Sequence, residues 1–358
     1  MILSMSEENP ATDLPDATAP IAPRFKPPPP LSWCFPYLPL LVVILLVLIA
    51  IPVNRTAPGW TFVPATQPAT QPATQPEKLQ SARPLNVSEF GKSAAWQAWQ
   101  SSFVAHIATW LAFVVTCFVL IARETEDARL NYAKGPDRHR VCILILAILL
   151  LLIAVMSGLK FGAGPGVELV KWCDDNKVLH GTRLFLIADP LAVGVPLWLF
   201  PVTLGLLIVP LTEEPHSDAE WPKVIGRSLY RQRALLIAAS VLLTAATIEN
   251  AQFWALPASV VEADAAKIKE AAKQVAAAVG VFYSSLLFVV AAVTLAPTYA
   301  LVLRAVADVE SESERKALLT KVGLEGGLIK YLTTALVLLA PALTGSAMEA
   351  LIKAVKGG

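Results

Sequence analysis

The chain is expected to be all-α, a polytopic helical bundle integral to a membrane, with six transmembrane helices and a seventh candidate. Two observations predict it. The 358 residues are 55% hydrophobic and only 16% charged, with a mean hydropathy of +0.57, whereas soluble domains run near a quarter charged. The apolar residues are also gathered into long uncharged runs, at 27–54, 93–122, 141–159, 190–212 and 274–303. At about 1.5 Å rise per residue, each can cross ~30 Å of hydrocarbon as a helix. A sixth run, 234–256, is interrupted by Glu249, and a seventh, 331–352, is uncharged as far as Met348.

The N-terminal segment, 1–36, is rich in Pro, Ala, Asp and Glu and includes "PRFKPPPP". It is expected to be disordered, ending in a stiff polyproline spacer. Its acidic residues are the wrong flank for a cleavable leader, so the first apolar run, 37–53, is expected to stay as a span. The outer segment 54–92 carries "PATQPATQPATQP", whose proline at every fourth position blocks helix and sheet and leaves an extended linker. The first span is therefore free to dock on the bundle or on another protein. The bundle itself is placed at 93–358.

"SEFGKSAAWQAWQ" opens the second span with Ser88 as a capping candidate, and Trp96 and Trp99 mark the membrane interface. Residues 258–277 form a helical extension, with Val261, Ala265, Ile268, Ala272 and Val275 on one face, that can run directly into the sixth span. It is either a lid or a docking surface. "ADVESESERKALLTK" is a solvated charged helix, with Glu312 and Lys316 one turn apart.

Lys and Arg favour the side of the N-terminus by sixteen to thirteen, and "RETEDARLNYAKGPDRHR" holds five of them in a short stretch. The positive-inside rule then puts the N-terminus in the cytoplasm, in a plasma or inner membrane. "RSLYRQR", before the fifth span, is a basic collar suited to anionic headgroups.

The chemistry-bearing residues inside the spans are few. Glu249, with Asn250 beside it, lies about 24 Å along the helix from Arg233, in the outer part of the hydrocarbon. A carboxylate there must face protein or a wet cavity. Ser240, Thr244, Thr247 and Ala251 share one face of that helix. Ala238, Ala245 and Glu249 share the opposite one. Both faces suit helix contacts, which makes this span central and leaves strips such as Ile237, Val241 and Ile248 to lipid. His106 lies at matching depth in the second span. It either meets Glu249 or, like it, meets headgroup water. Pro196, Pro201, Pro297 and Pro341 are expected to kink or locally break their helices, and such breaks can line a transport path.

Nothing resembles a nucleotide loop, a zinc-protease helix or a nucleophile elbow. "GAGPG" at 162–166 is a turn. Cys173, Asp174, Asp175 and His180, and separately His216, Asp218 and Glu220, are short polar clusters without defined metal geometry. The four cysteines have no metal or disulfide spacing. No cofactor is expected. The net charge of +1 gives no electrostatic case for nucleic acid. The expected partners are the lipid bilayer, further copies of the chain and other membrane proteins. The role expected is that of a non-catalytic membrane component acting through homo- or hetero-oligomeric assembly. The alternative is a transporter or channel for a small solute or ion, built around Glu249 and the proline-bent helices.

Overall fold

The computed structural model describes residues 34–45, 61–63, 78–80, 93–131, 141–148, 182–212, 221–259, 265–307, 309, 311–322, 324 and 338–344. The N-terminal segment before Cys34, the "GAGPG" turn, Ser88 and both polar clusters lie outside them. Almost every described residue is helical. In chain order the helices are α1 (Phe35–Leu45), α2 (Ala94–Asn131), α3 (141–148), α4 (Thr182–Ile208), α5 (Trp221–Ala255), α6 (Ala265–Ala307), α7 (Glu312–Lys321) and α8 (338–344).

Two three-residue strands are the exception to an all-α chain. β1 (Thr61–Val63) pairs in parallel with β2 (Lys78–Gln80), Phe62 opposite Leu79. They bracket the ATQP repeat rather than interrupt it. Proline removes the ladder donor only where it stands, and the flanks are free to pair.

Four of these helices are long and apolar enough to cross a membrane: Ala94–Asp127, Val195–Thr212, Trp221–Ser259 and Ile268–Ala307. The chain is therefore a membrane protein. α1, α3 and α8 are described over shorter lengths, and a count of six or seven is not reached from them.

α5 is the central element, packing against α2, α4, α6 and α7. One apolar core joins the bundle, from Leu40 of α1 through Phe113, Leu204, Leu235 and Leu287 to Leu338 of α8. On α2 the inward side chains recur at alternating three- and four-residue steps: Trp96, Trp99, Phe103, His106, Trp110, Phe113, Cys117, Leu120, Glu124 and Asp127. That spacing is a heptad seam, which meets α5 along its length and α4 at Phe113, in ring contact with Phe200. Val104, Leu111, Val115 and Phe118 of α2 are exposed, whereas Val114 and Ile121 are half-buried against the core.

The prolines do not break their helices. α4 is helical through Pro196 and Pro201, and α6 through Pro297. Each proline removes one backbone donor, yet the flanking turns are held by packing, and Pro196 and Pro201 are both buried. α4 instead ends in a 3-10 turn, Val209–Thr212, that contains Pro210.

The first and last described helices are each seated on a glycine. A Cβ at Gly205 of α4 would lie 2.5 Å from the Pro36 carbonyl oxygen of α1, and one at Gly280 of α6 would lie 2.5 Å from the Pro341 carbonyl oxygen of α8. Only a missing side chain allows such approach. α1 thus docks on α4, with Leu40 and Val43 fully inside. The α8 seat is reinforced by the backbone N–H of Ala342, which donates to Ser284 Oγ at 3.0 Å.

Candidate functional site

The antiparallel α2–α5 pair brings Glu249 against α2. Ser93 caps α2, with its Oγ accepting the Trp96 N–H at 3.2 Å, and so sets the register of the seam. Trp99 Nε1 donates to Glu249 Oε1 at 2.9 Å, across 150 residues of chain. His106 Nδ1 lies 3.9 Å from Glu249 Oε2, beyond hydrogen-bond length but within reach of a charge interaction. Glu249 and His106 are each 2% exposed. Asn250 turns away and donates to its own helix, at Ala246 O, 2.8 Å.

Trp96 and Trp99 are both buried against protein, their rings tilted on each other at 4.9 Å, and Trp99 also meets Phe103 at 5.8 Å and Phe253 at 5.7 Å. The indole supplies the donor that makes an intramembrane carboxylate tenable, and the aromatic cluster keeps water from it. Composition alone suggested an interfacial role. The signal that pointed inward was the 96–99–103–106 spacing, which sets both tryptophans on the His106 face.

At the other end of the same helix pair, Arg231 bridges Glu124 at 2.6 Å and Asp127 at 2.5 Å, and Arg227 joins Asp127 at 3.2 Å. A third polar contact ties α4, α5 and α6. Ser228 Oγ donates to Leu207 O at 2.7 Å, and Gln232 Nε2 donates to Ser228 Oγ at 3.0 Å and Thr298 Oγ1 at 3.4 Å. Gln232 is fully buried, and its Oε1 has no hydrogen-bond partner among the described residues.

The four prolines stand apart from Glu249 in role. Pro341 presents its carbonyl to Gly280, Pro196 and Pro201 are buried on α4, and Pro297 lies one residue before Thr298 in the Gln232 contact. α6 begins at Ala265, takes in 265–277 of the 258–277 extension and buries Ile268 and Ala272, while Ala258 and Ser259 belong to the 3-10 turn Leu256–Ser259. Among the described residues no group of three His, Cys, Asp or Glu could hold a metal.

No protein-family description, no curated protein and no solved structure matches the chain.

Proposed function

We propose that the protein is a non-catalytic membrane component that acts by assembling with itself or with other membrane proteins, its N-terminus on the cytoplasmic side. The observation that carries this is the commitment of Glu249 to a helix–helix hydrogen bond with Trp99, in a seam without solvent access. A transport path needs polar groups that face a wet cavity and can exchange partners. Here Glu249, Ser228 and Thr298 are instead bonded within or between helices. Beyond its contacts with α5 and α4, α2 exposes Val104, Leu111, Val115 and Phe118, a surface suited to lipid or a partner helix. α2 and α6, at 38 and 43 residues, are about 57 and 64 Å long, so both project well past ~30 Å of hydrocarbon and offer docking length outside it.

Native mass spectrometry of the protein, extracted gently from its own membrane, tests the proposal. A defined mass with further subunits supports it, and a bare monomer overturns it.

One observation favours the alternative of transport. Two ionisable side chains facing each other at 3.9 Å inside an apolar bundle are also what a proton or ion route uses. Liposome flux lost on Glu249→Gln would establish that reading.

A further inference from the structure

The three arginines of "RSLYRQR" have unlike surroundings. Arg227 and Arg231 are neutralised by the α2 carboxylates Asp127 and Glu124. Arg233 faces the α6 side and has no carboxylate within ion-pair distance among the described residues. Its Nη2 donates to the Tyr299 hydroxyl, its guanidinium lies 5.6 Å from the centre of that ring, and its Nε is buried without a hydrogen-bond partner. Tyr299 offers an oxygen and a π face but no full negative charge.

Depth makes this pairing incomplete. Arg233 stands two residues deeper than Arg231, about 3 Å further into the bilayer, and the apolar residues Leu235 and Leu236 follow at once. An unneutralised guanidinium at that boundary is costly. Its planar fork still has donors to give, in a geometry that matches a phosphate. Ile237 and Val241 continue the Arg233 face at four-residue steps into the membrane and are 49% and 53% exposed. They form an apolar track starting where the charge ends.

We infer that Arg233, backed by Tyr299 on the α5–α6 flank, holds the phosphate of an anionic phospholipid whose acyl chain lies along Ile237 and Val241. The bilayer surface supplies that phosphate at this depth. The site is separate from the Glu249 seam and does not depend on what the protein assembles with.

The test is native mass spectrometry of the full chain in detergent, with equal phosphatidylglycerol and phosphatidylcholine added. The wild type is expected to retain one phosphatidylglycerol in preference to phosphatidylcholine. Arg233→Gln should retain it about tenfold less, as loss of one charge-assisted contact implies. Arg304→Gln, at an exposed arginine of α6, should match the wild type. Equal retention by Arg233→Gln and wild type overturns the inference. So does equal retention of the two lipids, or displacement of the lipid by millimolar sodium phosphate, which would make this a free-phosphate site. A second measurement needs no variant. Phosphatidylglycerol bearing a photoreactive acyl chain should label the peptide holding Ile237 and Val241, and labelling confined to other helices overturns the assignment.

Discussion

Arg231 and Glu249 stand eighteen residues apart on α5, five helical turns, and each is met from α2 by residues with the same spacing, Glu124 and His106. Five turns return to the same face and span about 27 Å, close to the thickness of the hydrocarbon core. The α2–α5 pair is thus clamped by polar contacts near both membrane boundaries, with Trp110, Phe113, Cys117 and Leu120 between them on the α2 seam. The apolar stretch has little register information of its own, since one buried aliphatic side chain resembles the next. The two clamps supply it.

The Arg231 clamp should be the costlier to break. Its side chain is 11% exposed and that of Glu124 is 9% exposed. Arg231→Ala would remove two charge-assisted hydrogen bonds, to Glu124 and Asp127, from a largely buried position, a loss of about 2–3 kcal/mol. Arg227, at 41% exposure, should lose no more than about 1 kcal/mol on the same change. Thermal unfolding of the two variants in detergent reads the contrast, and equal losses would refute it.

At the other clamp, the coupling should lie with Trp99 rather than His106. A double-mutant cycle of Trp99→Phe with Glu249→Gln is expected to give about 1.5–3 kcal/mol, the worth of a hydrogen bond to a charged group. The cycle of His106→Ala with Glu249→Gln should give less, because 3.9 Å is too long for a hydrogen bond. A larger His106 coupling would show an ion pair stronger than this geometry implies.

Gly205→Ala and Gly280→Ala should each destabilise by about 1–3 kcal/mol, the usual cost of overpacking. The opposing atoms are backbone carbonyls of Pro36 and Pro341, which cannot swing aside as a side chain would. Gly205→Ala should unseat α1, which can be followed by reagent access to a cysteine placed at Leu40. An unchanged melting point with Leu40 still protected would refute the glycine seat.

Gln232→Met is expected to be near neutral, within about 1 kcal/mol, despite the full burial of Gln232. It gives up two hydrogen bonds but also removes an Oε1 without a partner, and these oppose each other. Ser228→Ala, which loses the link to Leu207 O and removes an acceptor for Gln232, should cost about 1–2 kcal/mol. Calorimetric or fluorescence-detected melting orders the two, and a large loss in Gln232→Met alone would refute the argument.

Membrane residence and the approximate positions of the long helices were legible in the sequence, and so was the cost of Glu249, although the sequence left protein and headgroup water as alternatives for it. They follow from properties that add along the chain: transfer free energy over a run, rise per residue, and the cost of a charge in hydrocarbon. Helical periodicity marked Ile237, Val241 and Ile248 as outward and Ser240, Thr244, Thr247 and Ala251 as inward; Ile237 and Val241 are exposed and Ser240 and Thr247 buried, while Thr244, Ile248 and Ala251 are half-buried. Only the tertiary structure decided that Trp99 is the hydrogen-bond donor to Glu249, that Arg231 meets carboxylates where Arg233 meets none among the described residues, that Pro36 and Pro341 seat on glycines, and that Pro196 and Pro201 leave α4 continuous. Each depends on which side chain a distant segment brings to a given depth, and local periodicity specifies a face without specifying what meets it.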